Sequence, residues 1–244
     1  MTDSNERMSR ARTSLMGELP ELLRGEARRT AEVWAGESQG WVAYVIWIVL
    51  GGALFGAAVG WWRAPLQACY TALKLPLILL LTALGNGLLN AMLAPLVGVP
   101  LTLRQSLMAV LMSFGVAAMI LGALSPLLAF LVWNTPSLAE AAARDSRNHG
   151  IILVTQAGMI ALAGFVANLR LWQALRSFSG RGKASLRLLG CWLAGNLLLG
   201  SQLAWVCRPF VGSPQLAVQF LRAEAFQGSF YESIFGIMRR LFFP

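Results

Sequence analysis

Six carboxamide side chains stand inside apolar runs of this chain; Asn168 is one, and the other five, Asn86, Asn90, Gln156, Asn196 and Gln202, are the candidates for a polar cluster. An amide carries two N–H donors and a carbonyl acceptor, and no charge. In hydrocarbon it can bond to a neighbouring helix, or it can line a polar pathway for a solute. Asn86 and Asn90 are four residues apart, so a helix puts them on one face. Amides are costly against lipid, which predicts that this face turns inward. Interhelical hydrogen bonding is the preferred reading, and a channel or transporter pathway is the alternative.

A second constellation follows the last apolar run. The stretch GSQLAWVCRPFVGSPQ (200–215) is apolar up to Cys207 and then holds Arg208, Pro209, Phe210, Gly212, Ser213 and Pro214. An arginine at a helix C-terminus snorkels to the interface and complements the helix dipole. Pro209 stops the helix, and Gly212 with Pro214 shapes a turn. Phe210 and Val211 are expected to tuck back into the interface. This chemistry suits a helix-end device. It also suits a rigid loop that a partner recognises, and the two uses are compatible.

Little else points to catalysis, and no enzyme activity is expected. With the spans drawn at the apolar runs, none holds Asp, Glu, His, Lys or Arg well inside it. No GxxxxGK[ST] or GxGxxG loop is present, and Gly85-Asn86-Gly87 lies in apolar sequence. His149 and Asp145, with Arg147 near, read as a solvated loop rather than a catalytic pair. Cys69, Cys191 and Cys207 lack metal-ligand spacing, so no metal or other cofactor is expected. Cys191 and Cys207 read as small packing residues.

Composition fixes the setting for these groups. The chain is 57% hydrophobic and 13% charged, about half the charge of a soluble domain. Of its 11 acids, seven precede Trp41 and none lies between Trp41 and Ala139. Long apolar runs between charged loops predict an all-α integral membrane protein with five transmembrane helices. The net charge of +9 sits mainly at the ends of those runs, where it orients helices and meets anionic lipid, so nucleic acid is not an expected partner. The first forty residues lack the early apolar core of a cleavable signal.

Three regions result. Residues 1–40 form a charged cytosolic arm with a short amphipathic helix, 41–207 the five-helix membrane domain, and 208–244 an external tail. The spans are expected at 41–62, 75–96, 107–133, 151–171 and 188–207. Trp41, Trp61 and Trp62 are placed at the interfaces. Gly52, Gly56 and Gly60 line one face of the first span and favour close helix packing within the chain over a homodimer face. Residues 63–76 read as a short amphipathic piece bracketed by Pro65 and Pro76. Pro126 should kink the third span or end it, and because the stretch is too short for two crossings one tilted, kinked helix is expected. In the tail, Phe230, Ile234, Phe235, Met238 and Leu241 share helical spacing and predict an interfacial helix.

Basic residues choose the orientation. The arm, the second loop and the fourth loop hold twelve Lys and Arg, against eight in the other loops and the tail. That favours a cytoplasmic N-terminus and an external C-terminus in the inner membrane.

The stretches ALKLPLILLLTAL, SPLLAFLVW and GSQLAWVCRPFVGSP, with SFYESIF downstream, resemble a group of uncharacterised bacterial polytopic membrane proteins with an RPFxGSP-like stretch after the last span. The likeness covers about residues 64–241, and its most specific part is Gln202, Trp205, Arg208, Pro209, Phe210, Gly212, Ser213 and Pro214. The five-span plan with a cytosolic arm is also similar to the Yip/Yif family, whose members bind small GTPases and help shape or traffic membranes. That likeness is architectural, since no diagnostic Yip motif stands in the arm. It implies a non-enzymatic scaffold and names no partner.

Overall fold

The computed structural model describes residues 41–99, 101–135, 147–179, 182–211, 217–233 and 235. The arm at 1–40, Gly212, Ser213 and Pro214 of the tail, Asp145, and most of the expected terminal helix lie outside the described residues.

Five helices follow in order: α1 Trp41–Trp61, α2 Pro65–Leu93, α3 Leu103–Trp133, α4 Arg147–Ser179 and α5 Gly182–Val206, with one 3-10 turn at Pro95–Val97. Stretches long and apolar enough to cross a bilayer lie at Trp41–Trp61, Pro65–Leu93, Leu103–Trp133, Gly150–Gln173 and Leu186–Val206. The protein is therefore an all-α integral membrane protein with five transmembrane helices. α2, α3, α4 and α5 close a ring of packed neighbours, and α1 lies in the groove between α2 and α3.

The helices alternate in direction, so two apolar layers form. One joins Tyr44 of α1 to Ala83, Val110, Leu171, Leu188 and Trp192. The other joins Phe55, Val59 and Trp62 to Leu128, Ile152, Met159 and Val211. Trp62 is thus a core residue rather than an interfacial one. Trp41 and Trp61 are exposed.

α2, α3, α4 and α5 all begin before the boundaries expected of them, and α4 also ends later; for α2 and α3 the local reason is visible. α2 begins ten residues before the expected second span and runs through Pro76. Pro65 stands in its first turn, where a missing N–H costs nothing, and Ala64 before it is extended. Pro76 is accommodated against α1, where a Cβ added to Gly52 would sit 3.2 Å from its ring. α3 begins at Leu103 because Thr102 and Gln105 form a reciprocal capping box. It also passes Pro126 unbroken. Pro126 has no N–H to offer the Gly122 carbonyl four residues back, and the Ser125 hydroxyl donates to that carbonyl instead, at 2.7 Å.

Glycine sets how closely α1 is held. A Cβ at Gly56 would meet the Thr71 backbone, and one at Gly60 the Gln67 and Ala68 backbone of α2. On the opposite side, Gly51 abuts Ala118, and Gly122 of α3 abuts Gly51. At Gly158 of α4 nothing lies within 4 Å of an added Cβ.

This contrast is testable by thermal unfolding in detergent. Gly56→Ala forces two backbones apart and should cost about 1–3 kcal/mol. Gly158→Ala should be neutral or stabilise by up to about 1 kcal/mol through helix propensity. Equal effects would contradict the packing described.

Candidate functional site

The end of α5 raises a hydrogen-bonding demand. Its last regular bond runs from Cys207 N–H to the Leu203 carbonyl, after which the chain leaves the helix. Arg208 caps the end by donating its Nε to the Trp205 carbonyl at 3.1 Å. The Arg208–Pro209 peptide is cis. The carbonyls of Pro209 and Phe210 then lie in an apolar surrounding without helical donors. Bare carbonyls there cost several kcal/mol each unless something donates to them.

α2 supplies the donors. Gln67, Thr71 and Lys74 are spaced four and three residues apart, so they share one face, and all three are fully buried. Lys74 Nζ donates to the Pro209 carbonyl at 2.8 Å. Gln67 Nε2 donates to Pro209 at 3.0 Å and to Phe210 at 2.7 Å. The Thr71 hydroxyl lies 2.9 Å from both the Phe210 carbonyl and the Gln67 carbonyl, so its single proton serves one of them at a time.

Aromatic faces complete the surround of the lysine. Lys74 Nζ is 5.0 Å from the Phe220 ring centre and 5.9 Å from that of Phe210. Phe220 packs edge-on against Tyr70 at 5.4 Å. Such cation–π contacts favour an ammonium that has left water. Val211 enters the core layer and Phe210 packs beside it. Pro209 and Phe210 therefore form a lock between the tail and α2. Their carbonyls point into the protein and are not free for a partner.

The intramembrane carboxamides divide into separate places. Asn86 Nδ2 of α2 donates to Asn196 Oδ1 and to the Trp192 carbonyl of α5. Gly195 makes room, since a Cβ there would collide with Asn86 Oδ1. Asn90, one turn further, is fully buried, and both ends of its amide lack partners among the described residues. Gln202 accepts the Phe230 N–H of the tail at 3.2 Å. Gln156 stands on α4, which packs on α3 and α5 rather than beside Asn86. Gly52, Gly56 and Gly60 face α2 inside the chain, and Gly60 and Gly56 oppose the Gln67 and Thr71 backbone.

Among the described residues, no group of three or more His, Cys, Asp or Glu could hold a metal ion. The Gln67, Thr71 and Lys74 face is absent from the sequence-derived candidates. Its signal is the 4–3 spacing of Gln67, Thr71 and Lys74 after Pro65, in the stretch read as a short amphipathic piece outside the spans. With α2 continuous, Lys74 lies inside a spanning helix, contrary to the expectation that no span holds a charge.

No family model matches the chain, and neither a curated protein nor a solved structure matches it.

Replacing Lys74 with Met removes a charged hydrogen bond and should lower stability by about 1.5–3 kcal/mol. Leu73→Met, on the exposed face of the same turn, should change it by less than about 0.5 kcal/mol. Unfolding midpoints in detergent that fall equally for both variants would remove the lock from the account.

Proposed function

We propose that the protein is a non-enzymatic integral membrane scaffold, an interaction subunit of a membrane complex. The observation that carries this reading is the fixed tail. The clamp on Pro209 and Phe210 ties it to α2. Ser201 and Tyr231 share a hydrogen bond, and Tyr231 also donates to the Leu197 carbonyl at 3.0 Å. Held this way, the tail presents Phe226 and Phe235 outward, with 83% and 71% of their surface exposed. Rigid aromatic anchors of this kind dominate the energetics of protein interfaces.

In this reading the bundle sits in a bacterial-type inner membrane with its arm in the cytoplasm and the tail on the external face. Its partners are the lipid bilayer and another protein, with no nucleic acid and no cofactor. The Yip/Yif-like plan agrees with an adaptor role and identifies no partner, and the RPFxGSP-like stretch carries no activity of its own.

A channel or transporter subunit is the second reading, and a specific observation favours keeping it. Thr82, Asn86 and Asn90 follow one face of α2 at four-residue spacing, and Thr82 Oγ1, Asn86 Oδ1 and both ends of Asn90 are buried without hydrogen-bond partners among the described residues.

Two measurements separate the readings. A photo-crosslinking residue at Phe226 or Phe235 in cells should capture one protein reproducibly, while the same residue at Phe165, on the exposed side of α4, should capture none. Crosslinking equal to that control would defeat the scaffold reading. Asn86→Leu with Asn90→Leu should leave any solute flux in liposomes unchanged if the asparagines only join helices. Loss of a measurable flux from a folded variant would put transport first.

A further inference from the structure

The end of α5 carries a second feature that the clamp does not use. Trp205, one residue before the helix ends, is approached by two arginines. Arg208 places Cζ 3.0 Å from the centre of the indole, and Arg222 comes from the tail to 5.6 Å from the same ring. Trp205 Nε1, Arg208 Nη2 and Arg222 Nε are all buried, and none has a hydrogen-bond partner among the described residues. Indole and guanidinium nitrogens donate and do not accept, so these three groups cannot satisfy one another. What they lack is an acceptor, and two cations at one indole favour an anionic one.

The described chain supplies no such anion. Its two acids are Glu224 and Glu232. Glu232 accepts the Ser229 N–H at 2.9 Å, and Glu224 is exposed and pairs with neither arginine. Burial, and then the charge of Arg222, lower the affinity of Arg208 for its proton below the ordinary guanidinium value. Burial is the larger cause, and the like charge of Arg222 acts in the same direction.

We propose that Trp205, Arg208 and Arg222 bind the phosphate of an anionic phospholipid. A phosphate offers several acceptor oxygens, and the planar guanidinium fork matches it in a bidentate way. The position selects lipid over free phosphate. Arg208 leaves a spanning helix that ends at Val206, where hydrocarbon gives way to headgroups. Deeper along the same helix Leu193, Leu197 and Leu198 are exposed, a bed on which acyl chains can lie. The site is independent of the scaffold reading, since it needs no protein partner.

The full chain, purified in detergent and stripped of lipid, provides the test. Phosphatidylglycerol, phosphatidylcholine and inorganic phosphate are added separately, with bound lipid read by native mass spectrometry and the unfolding midpoint beside it. Phosphatidylglycerol should be retained in preference to phosphatidylcholine. Arg222→Gln and Arg208→Lys should each weaken its binding about tenfold, the lysine variant because it keeps the charge and loses the fork. Arg104→Gln, an exposed arginine in the first turn of α3, should leave it unchanged. Should the Arg208 variant fail to fold, Arg222→Gln decides alone. Equal retention of the two lipids, or a phosphatidylglycerol preference that survives Arg222→Gln, would overturn the proposal. Displacement of phosphatidylglycerol by millimolar inorganic phosphate would overturn the lipid assignment.

Discussion

A buried ammonium and two bare carbonyls, each intolerable alone in an apolar surrounding, satisfy each other at one end of this bundle. Lys74 has no carboxylate beside it among the described residues, and it bonds instead to the Pro209 carbonyl, with Phe210 and Phe220 around it. The segment after α5 cannot continue the helix, because proline follows Arg208, so its carbonyls must find donors elsewhere. Gln67, Thr71 and Lys74 are those donors. Removing either side leaves polar groups stranded away from water, which costs more than the bond itself contributes. The tail is therefore bound to α2 by necessity of solvation rather than by apolar contact alone.

That arrangement depends on how α1 is packed. The Gln67 and Thr71 backbone lies directly against Gly60 and Gly56, and Pro76 lies against Gly52. Larger residues at those glycines would push α2 away from α1 and shift its polar face relative to the tail. In lipid, helices gain little from apolar burial against one another, so close backbone approach carries much of the association. The glycine face and the clamp are consecutive layers of one structure: α1 sets the position of α2, and α2 sets the position of the tail.

Much of this was legible in the chain, and the rest failed for identifiable reasons. Apolar length placed five spans, and the carboxamide spacing singled out Asn86, which does join α2 to α5. Pro76 misled because proline is a breaker in water, whereas here it fits against Gly52 inside a packed helix. Reading a boundary there placed Lys74, together with Gln67 and Thr71, in a short amphipathic piece outside the second span rather than inside a spanning helix. At Pro126 the neighbouring serine supplies the missing donor, a detail that sequence spacing does contain. The meeting of Arg222 with Trp205 joins a tail residue to a helix end, and no local periodicity encodes that contact.

The most direct measurement of the account is whether the tail lies on α2 in the native membrane. Cys69, Cys191 and Cys207 are replaced by serine, and new cysteines are placed at Tyr70 and Phe220, whose rings are 5.4 Å apart. A short bifunctional thiol reagent applied to intact membranes should join them, and Phe220 paired with a cysteine at Phe165 on α4 should remain unlinked. Linkage of the 70–220 pair at the rate of that control would mean that the tail does not dock on α2, and the buried Lys74 would then need another partner.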